Sequence, residues 1–140
     1  MRVILDTNIL LSGLLISQGV PAQLIDAWKL QTFDLVTCRI QIDEFRDVAS
    51  RPRFKKRLLA SHVERLAVDL EKLSYFVLEL RQAHFSPDPK DSYLLGLADA
   101  AAADYLATGD KALQALRHYK STQIVSPAVL SLILEESTES

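Results

Sequence analysis

Cysteine is almost missing from this chain. Cys38 is the sole one in 140 residues, which excludes an internal disulfide and agrees with a reducing compartment. Long apolar runs are missing as well. Near the start the apolar stretches cover only 3–5, 9–11 and 14–16. A secretory leader needs roughly 7–15 consecutive apolar residues and a membrane span roughly 20. The chain is therefore expected to be soluble and cytoplasmic, without a membrane partner. Glycine is scarce: the four, at 13, 19, 96 and 109, form no phosphate-binding loop. Cys38 with His62, His84 and His118 shows no zinc-ligand spacing. Net charge is only −2, so a nucleic-acid partner would need a local basic patch rather than a global field.

Apolar residues are plentiful, at 49%, which excludes a disordered chain and supplies one domain with a core. That domain is expected over 1–136, with 137–140 a frayed polar tail. Short apolar runs alternate with helical periods. Strands are predicted at "RVIL" (2–5), "FDLVT" (33–37), "FVLEL" (76–80), "YLAT" (105–108) and "TQIV" (122–125). Helices are predicted at about 8–15, from Pro21 to Lys29, at 39–49, at 61–74 behind a Ser cap, at 89–103, after Asp110, and from Ser126–Pro127. Such alternation predicts an α/β fold of three layers: about five parallel strands with helices on both faces. Trp28, Phe33 and Tyr75 fall in apolar patterns and read as core.

Against that frame, four acids stand out. Asp6 ends the first strand, in "VILDTN", and Asp110 follows the fourth, in "YLATGD", where Gly109 allows a tight turn. In parallel sheets, ligands bind at the carboxyl ends of strands. Asp91 extends the apolar stripe of Leu94, Leu95, Ala98, Ala101 and Ala102, with Asp88 three residues before it. Glu44 lies one turn from Ile40 and from Val48, while Asp43 and Asp47 fall on the opposite, solvated side with Arg39 and Arg46.

Each acid also has a plainer reading. Asp6, Asp88 and Asp110 precede helices and suit N-caps, worth about 1 kcal/mol each. Asp91 suits the first turn of a helix, and Glu44 the wet edge of a core. Four inward acids at one sheet edge would repel, however. Two unit charges about 4 Å apart cost about 4 kcal/mol at an effective dielectric of about 20. Protonation or a cation must relieve that. Oxygen ligands alone select a hard ion, Mg²⁺ or Mn²⁺, and such an ion suits phosphodiester hydrolysis.

The chain resembles the PIN-domain ribonucleases over about residues 2–134. The resemblance is carried by "VILDTNILLSGLL", "IDEFRDV", "DPKDSYLLGLADAAAADYLATGDKAL" and "IVSPAVL". Within that family it is similar to the VapC-like toxins of type II toxin–antitoxin pairs. The resemblance implies a Rossmann-like PIN fold and an endoribonuclease that uses one or two Mg²⁺ or Mn²⁺ ions. Carried across, the catalytic and metal-binding acids are Asp6, Glu44, Asp91 and Asp110, supported by Asn8, Thr108 and Asp88. Ser92 stands where relatives often have Asn. The expected partners are an RNA substrate, a cognate antitoxin and a second copy of the chain in a homodimer.

One stretch is strongly basic. "RPRFKKR" (51–57) carries Arg51, Arg53, Lys55, Lys56 and Arg57 in a chain that is net acidic. It reads either as a solvated helix start or as a contact for RNA phosphate or an acidic antitoxin segment. Two rival classes are weaker. An aspartyl phosphotransferase would usually carry a second acid where Asn8 stands. A catalytically silent PIN module that binds RNA or protein would usually have lost some of the acids.

Overall fold

The computed structural model of the protein describes residues 1–83 and 89–139, without side chains at 89–92, 138 and 139. Its elements run β1 (Arg2–Leu5), α1 (Thr7–Leu15), α2 (Val20–Lys29), β2 (Asp34–Cys38), α3 (Arg39–Ala49), α4 (Pro52–Lys55), α5 (Ala60–Leu73), β3 (Tyr75–Val77), α6 (Pro89–Ala101), β4 (Tyr105–Ala107), α7 (Lys111–Leu116), β5 (His118–Tyr119), β6 (Thr122–Val125) and α8 (Pro127–Glu139).

The strands form one sheet in the order β3-β2-β1-β4-β6-β5. The first five are mutually parallel, with Val3 opposite Leu35 and Tyr105, and Leu106 opposite Ile124. Successive side chains of a strand point to opposite faces, and the core divides accordingly. Val3, Leu5, Leu35 and Ala107 pack under α1, α2, α3, α5 and α8. Ile4, Val36, Leu106 and Ile124 pack under α6 and α7. The fold is thus three-layered, as predicted. Each fully buried Leu, Ile or Val side chain contributes about 1.5–3 kcal/mol, so the two clusters provide the main drive to fold.

The sheet has a sixth strand where five were expected. β5 pairs antiparallel with β6, His118 against Gln123 and Tyr119 against Thr122. Two residues with no apolar run leave no readable period. The turn between the strands is made by Lys120 at φ +51°, not by a glycine. Smaller differences have equally local causes. β3 stops at Val77, where its ladder with β2 ends, and Leu78 is 87% exposed. The alanine run of α6 stops at Ala101 because Ala102 turns left-handed, at φ +48°, and Ala103 N–H bonds back to the Ala98 carbonyl. α5 begins at Ala60 behind Leu59, with no side-chain cap. α8 runs from Pro127 to Glu139. Trp28 and Phe33 are buried as expected, but Tyr75 is 41% exposed and lies under the Arg2 guanidinium, 4.2 Å from its ring centroid. Among the described residues, no single helix is long and apolar enough to cross a membrane.

Gly96 fastens α6 to the segment after β3. Its carbonyl accepts from Arg81 N–H at 3.2 Å, and a Cβ at this position would stand 2.1 Å from the Arg81 carbonyl oxygen. Backbone cannot yield as a side chain does. Gly96→Ala gains about 1 kcal/mol of helix propensity yet overpacks this contact, for which about 1–3 kcal/mol is usual. A net loss of stability is expected in urea unfolding. Equal or greater stability than the parent chain would mean that the loop yields freely.

Candidate active site at the carboxyl edge of the sheet

The chain leaves β1 toward β2 and β3 on one side, then returns to place β4 on the other. The crevice between β1 and β4 is therefore the topological switch point, where open α/β sheets bind ligands. Asp6 and Asp110 both stand there.

Asp6 occupies the N-cap position of α1, and its backbone carbonyl accepts from Ile9 and Leu10 N–H. Its carboxylate does not cap the helix. Instead Thr108, fully buried, donates Oγ1–H to Asp6 Oδ2 at 2.6 Å. Burial pushes the Asp6 carboxyl above its ordinary range, and the neighbouring Glu44 charge pushes further. The Thr108 bond and the nearby backbone N–H groups of Asn8 and Thr7 pull the other way without cancelling the rise. The one short hydrogen bond of the Asp6 carboxylate thus comes from Thr108, and the N–H groups of the first turn of α1 approach it without completing a cap.

Thr108 serves two acids. Its Oγ1 also accepts the Asp110 N–H at 3.0 Å, and its own carbonyl accepts Gln114 Nε2–H at 2.6 Å. Asp110 does cap its helix: Oδ1 accepts from Ala112 and Leu113 N–H at 2.7 and 3.1 Å. Both bonds fall on one oxygen, so Oδ2 takes no part in the cap. Gly109 between them is not required by the turn. Its φ is not left-handed, and a Cβ there would meet nothing within 4 Å.

Glu44 comes from α3 and is half-buried. Its row differs from expectation, because Ile40 is 51% exposed and only Val48 of the two flanking residues is partly covered. Its Oε1 accepts the Tyr93 hydroxyl at 2.9 Å. Tyr93 also lies 3.4 Å from Thr7 Oγ1. Burial pushes the Tyr93 phenol far above its ordinary range; the Thr7 hydroxyl opposes that, and the Glu44 and Asp6 charges add to it. The two carboxylates are thus close enough to act on the same phenol and on each other.

Asp91 lies in the first turn of α6, and its side chain is outside the described part of the structure. Asp88 lies outside the described residues. Asn8 is exposed, and its side chain makes no hydrogen bond among the described residues. Among those residues no three of His, Cys, Asp and Glu gather as a metal-holding group. A hard cation such as Mg²⁺ commonly takes only one or two carboxylates and keeps its waters. The oxygen-only pair of the desolvated Asp6 and the half-buried Glu44 fits that requirement without a third acid.

A buried polar bridge beneath the site was not foreseen. Gln41, 1% exposed, donates Nε2–H to the Leu5 carbonyl at 2.7 Å and accepts Thr37 Oγ1–H at 2.6 Å. It ties the ends of β1 and β2 to α3 directly below Asp6. The available signal was a Gln four residues before Phe45, on a core-facing position of the helix. Gln41→Leu would strand Thr37 Oγ1 and the Leu5 carbonyl, a loss of about 1–3 kcal/mol per orphaned group. Chemical denaturation is expected to show it, and an unchanged midpoint would mean that the bridge contributes nothing.

The basic run forms α4 and its flanks, with all five cations exposed. Arg51 pairs with Asp47 at 3.1 Å, and the Arg53 guanidinium lies 5.3 Å from the Phe54 ring centroid. Lys55, Lys56 and Arg57 form none of the ion pairs among the described residues. On α3, Arg39 and Arg46 both pair with Glu71 of α5, and Arg46 also pairs with Glu64.

Comparison with curated proteins found no match. A family model described as PIN domain matches residues 2–112, from the first residue of β1 through Asp110 and the start of α7. With more than half its length inside that match, and with its acids at the switch point of a Rossmann-like sheet, the chain belongs to the PIN-domain family.

Proposed function

We propose that this protein is an endoribonuclease that hydrolyses RNA phosphodiester bonds with Mg²⁺ or Mn²⁺, and that it is the toxin of a toxin–antitoxin pair. PIN domains are generally metal-dependent nucleases. The observation that carries the reading is Asp6: a carboxylate desolvated at the switch point, beside a second acid, and not used to cap its helix. Asp6, Glu44, Asp91 and Asp110 are assigned as the acids of the site, with Thr108 and Asn8 beside them. Bound there, the cation would lower the pKa of a water and stabilise charge on the phosphate. The chain's own part is positional. Thr108 holds Asp6 and the start of α7 together, Asp110 keeps one oxygen outside its cap, and Glu44 stands across the crevice on α3.

Lys55, Lys56 and Arg57 are assigned to RNA phosphate. Lys55→Gln with Lys56→Gln is expected to flatten the salt dependence of single-stranded RNA binding by about 1.4 log–log units, at about 0.7 per contact. An unchanged slope would return the run to a solvated surface or to an acidic protein partner. The deciding experiment for the activity is cleavage of a mixed RNA panel with Mg²⁺, with Mn²⁺ and with EDTA. Undiminished cleavage in EDTA would remove the metal mechanism. Tight RNA binding with no cleavage under any condition would favour a silent RNA-binding module. For the toxin role, growth arrest on expression should be reversed by co-expression of a small neighbouring reading frame.

A further inference from the structure

Tyr93 belongs to the layer on the far side of the sheet from Glu44. It packs against the cluster of α6 and α7, whereas α3 packs with the opposite cluster. The hydrogen bond between them therefore joins the α6 layer to the α3 layer, beside Thr7 at the start of α1. Its direction is fixed by chemistry. An ionised carboxylate only accepts, so Tyr93 must donate its one proton to Glu44 Oε1 at 2.9 Å. The Thr7 hydroxyl, 3.4 Å away, can then only donate toward the phenol oxygen. The result is a one-way chain from Thr7, the residue after Asp6, through Tyr93 to Glu44.

We propose that Tyr93 is a positioning residue for the metal site: its hydroxyl fixes Glu44 Oε1 and leaves Oε2, which takes no hydrogen bond among the described residues, as the oxygen that would serve a cation. The inference rests on the reading of Asp6 and Glu44 as metal-binding acids. It assigns a role to a residue that is not itself an acid and would not touch the ion. A half-buried glutamate still has several rotamers; a hydrogen bond from a packed ring restricts them. Outer partners of this kind are commonly worth about 10–100-fold in metal affinity.

The test is Mn²⁺ binding to the metal-free protein, followed by electron paramagnetic resonance of the free ion, in a double-mutant cycle. Tyr93→Phe keeps the ring in place and removes only the hydroxyl. It is expected to weaken Mn²⁺ binding about tenfold in the parent chain, and by less than about twofold when Glu44→Gln is already present, because the bond it supports then no longer holds a charged ligand. Equal affinity of Tyr93→Phe and the parent would overturn the positioning role. So would an equal loss in both backgrounds, since the effect would then not pass through Glu44. Absence of saturable Mn²⁺ binding in the parent chain would overturn the metal reading itself, and this inference with it, and is told apart from the other two by the parent measurement alone.

Discussion

Asp6→Asn is expected to lower metal-dependent RNA cleavage by at least about a hundredfold, the effect of losing one charged ligand worth a few kcal/mol. The substitution is close to isosteric, and the new amide can still accept the Thr108 hydroxyl, so the fold should survive. In metal-free protein its stability should even rise near neutral pH. The sign follows from the raised folded-state pKa of Asp6. A carboxyl whose pKa is higher in the folded state than in the unfolded chain disfavours folding once both states are ionised, and the penalty fades as pH falls through the folded value. Asn carries no such penalty. Urea unfolding in EDTA should therefore show the variant more stable than the parent at pH 7, with the difference closing in acid. Added Mg²⁺ should reverse the order, because an ion that binds only the folded state stabilises the chain that binds it better. A variant that cleaves at the parent rate would remove Asp6 from the chemistry. One that is less stable in EDTA at every pH would mean that the carboxylate serves the fold after all.

How far the sequence carried the structure depended on the range of the interactions. β1, β2, β4 and β6 follow from apolar runs, and α3 and α5 from their 3.6-residue stripes, because each pattern is local. The polar links that build the site are not local. Thr108 reaches Asp6 across 102 residues, Tyr93 reaches Glu44 across 49, and Gln41 reaches Leu5 across 36. Nothing in the neighbourhood of Tyr93 distinguishes a phenol that meets a carboxylate from one that fills a core. The same limit explains the caps. Asp6 and Asp110 both precede helices after a strand, and both suit an N-cap by position. Only the packed structure separates them: Thr108 draws the Asp6 carboxylate into the crevice, while Asp110 Oδ1 stays on the α7 N–H groups. Strand β5 and the left-handed Ala102 escaped for a different reason, since neither carries the glycine that usually marks such backbone.

Asp110 is the acid for which cap and site must be told apart, and two substitutions do it. Asn and Asp are about equally good N-caps, so Asp110→Asn keeps the bonds to Ala112 and Leu113 and gives up at most about 1 kcal/mol of charge–dipole stabilisation. Asp110→Ala loses the cap too, for roughly 1 kcal/mol more. If the carboxylate belongs to the site through Oδ2, both variants should lose at least about a hundredfold in cleavage rate, although their stabilities differ. If Asp110 is only a cap, Asp110→Asn should cleave like the parent, and Asp110→Ala should differ mainly in its unfolding midpoint. The comparison is clean because the charge is removed in both variants and the cap in only one. Rate therefore reports the carboxylate and the midpoint reports the helix. Retained activity in Asp110→Asn would leave Asp6, Glu44 and Asp91 to hold the ion, with Thr108 reduced to a support for Asp6.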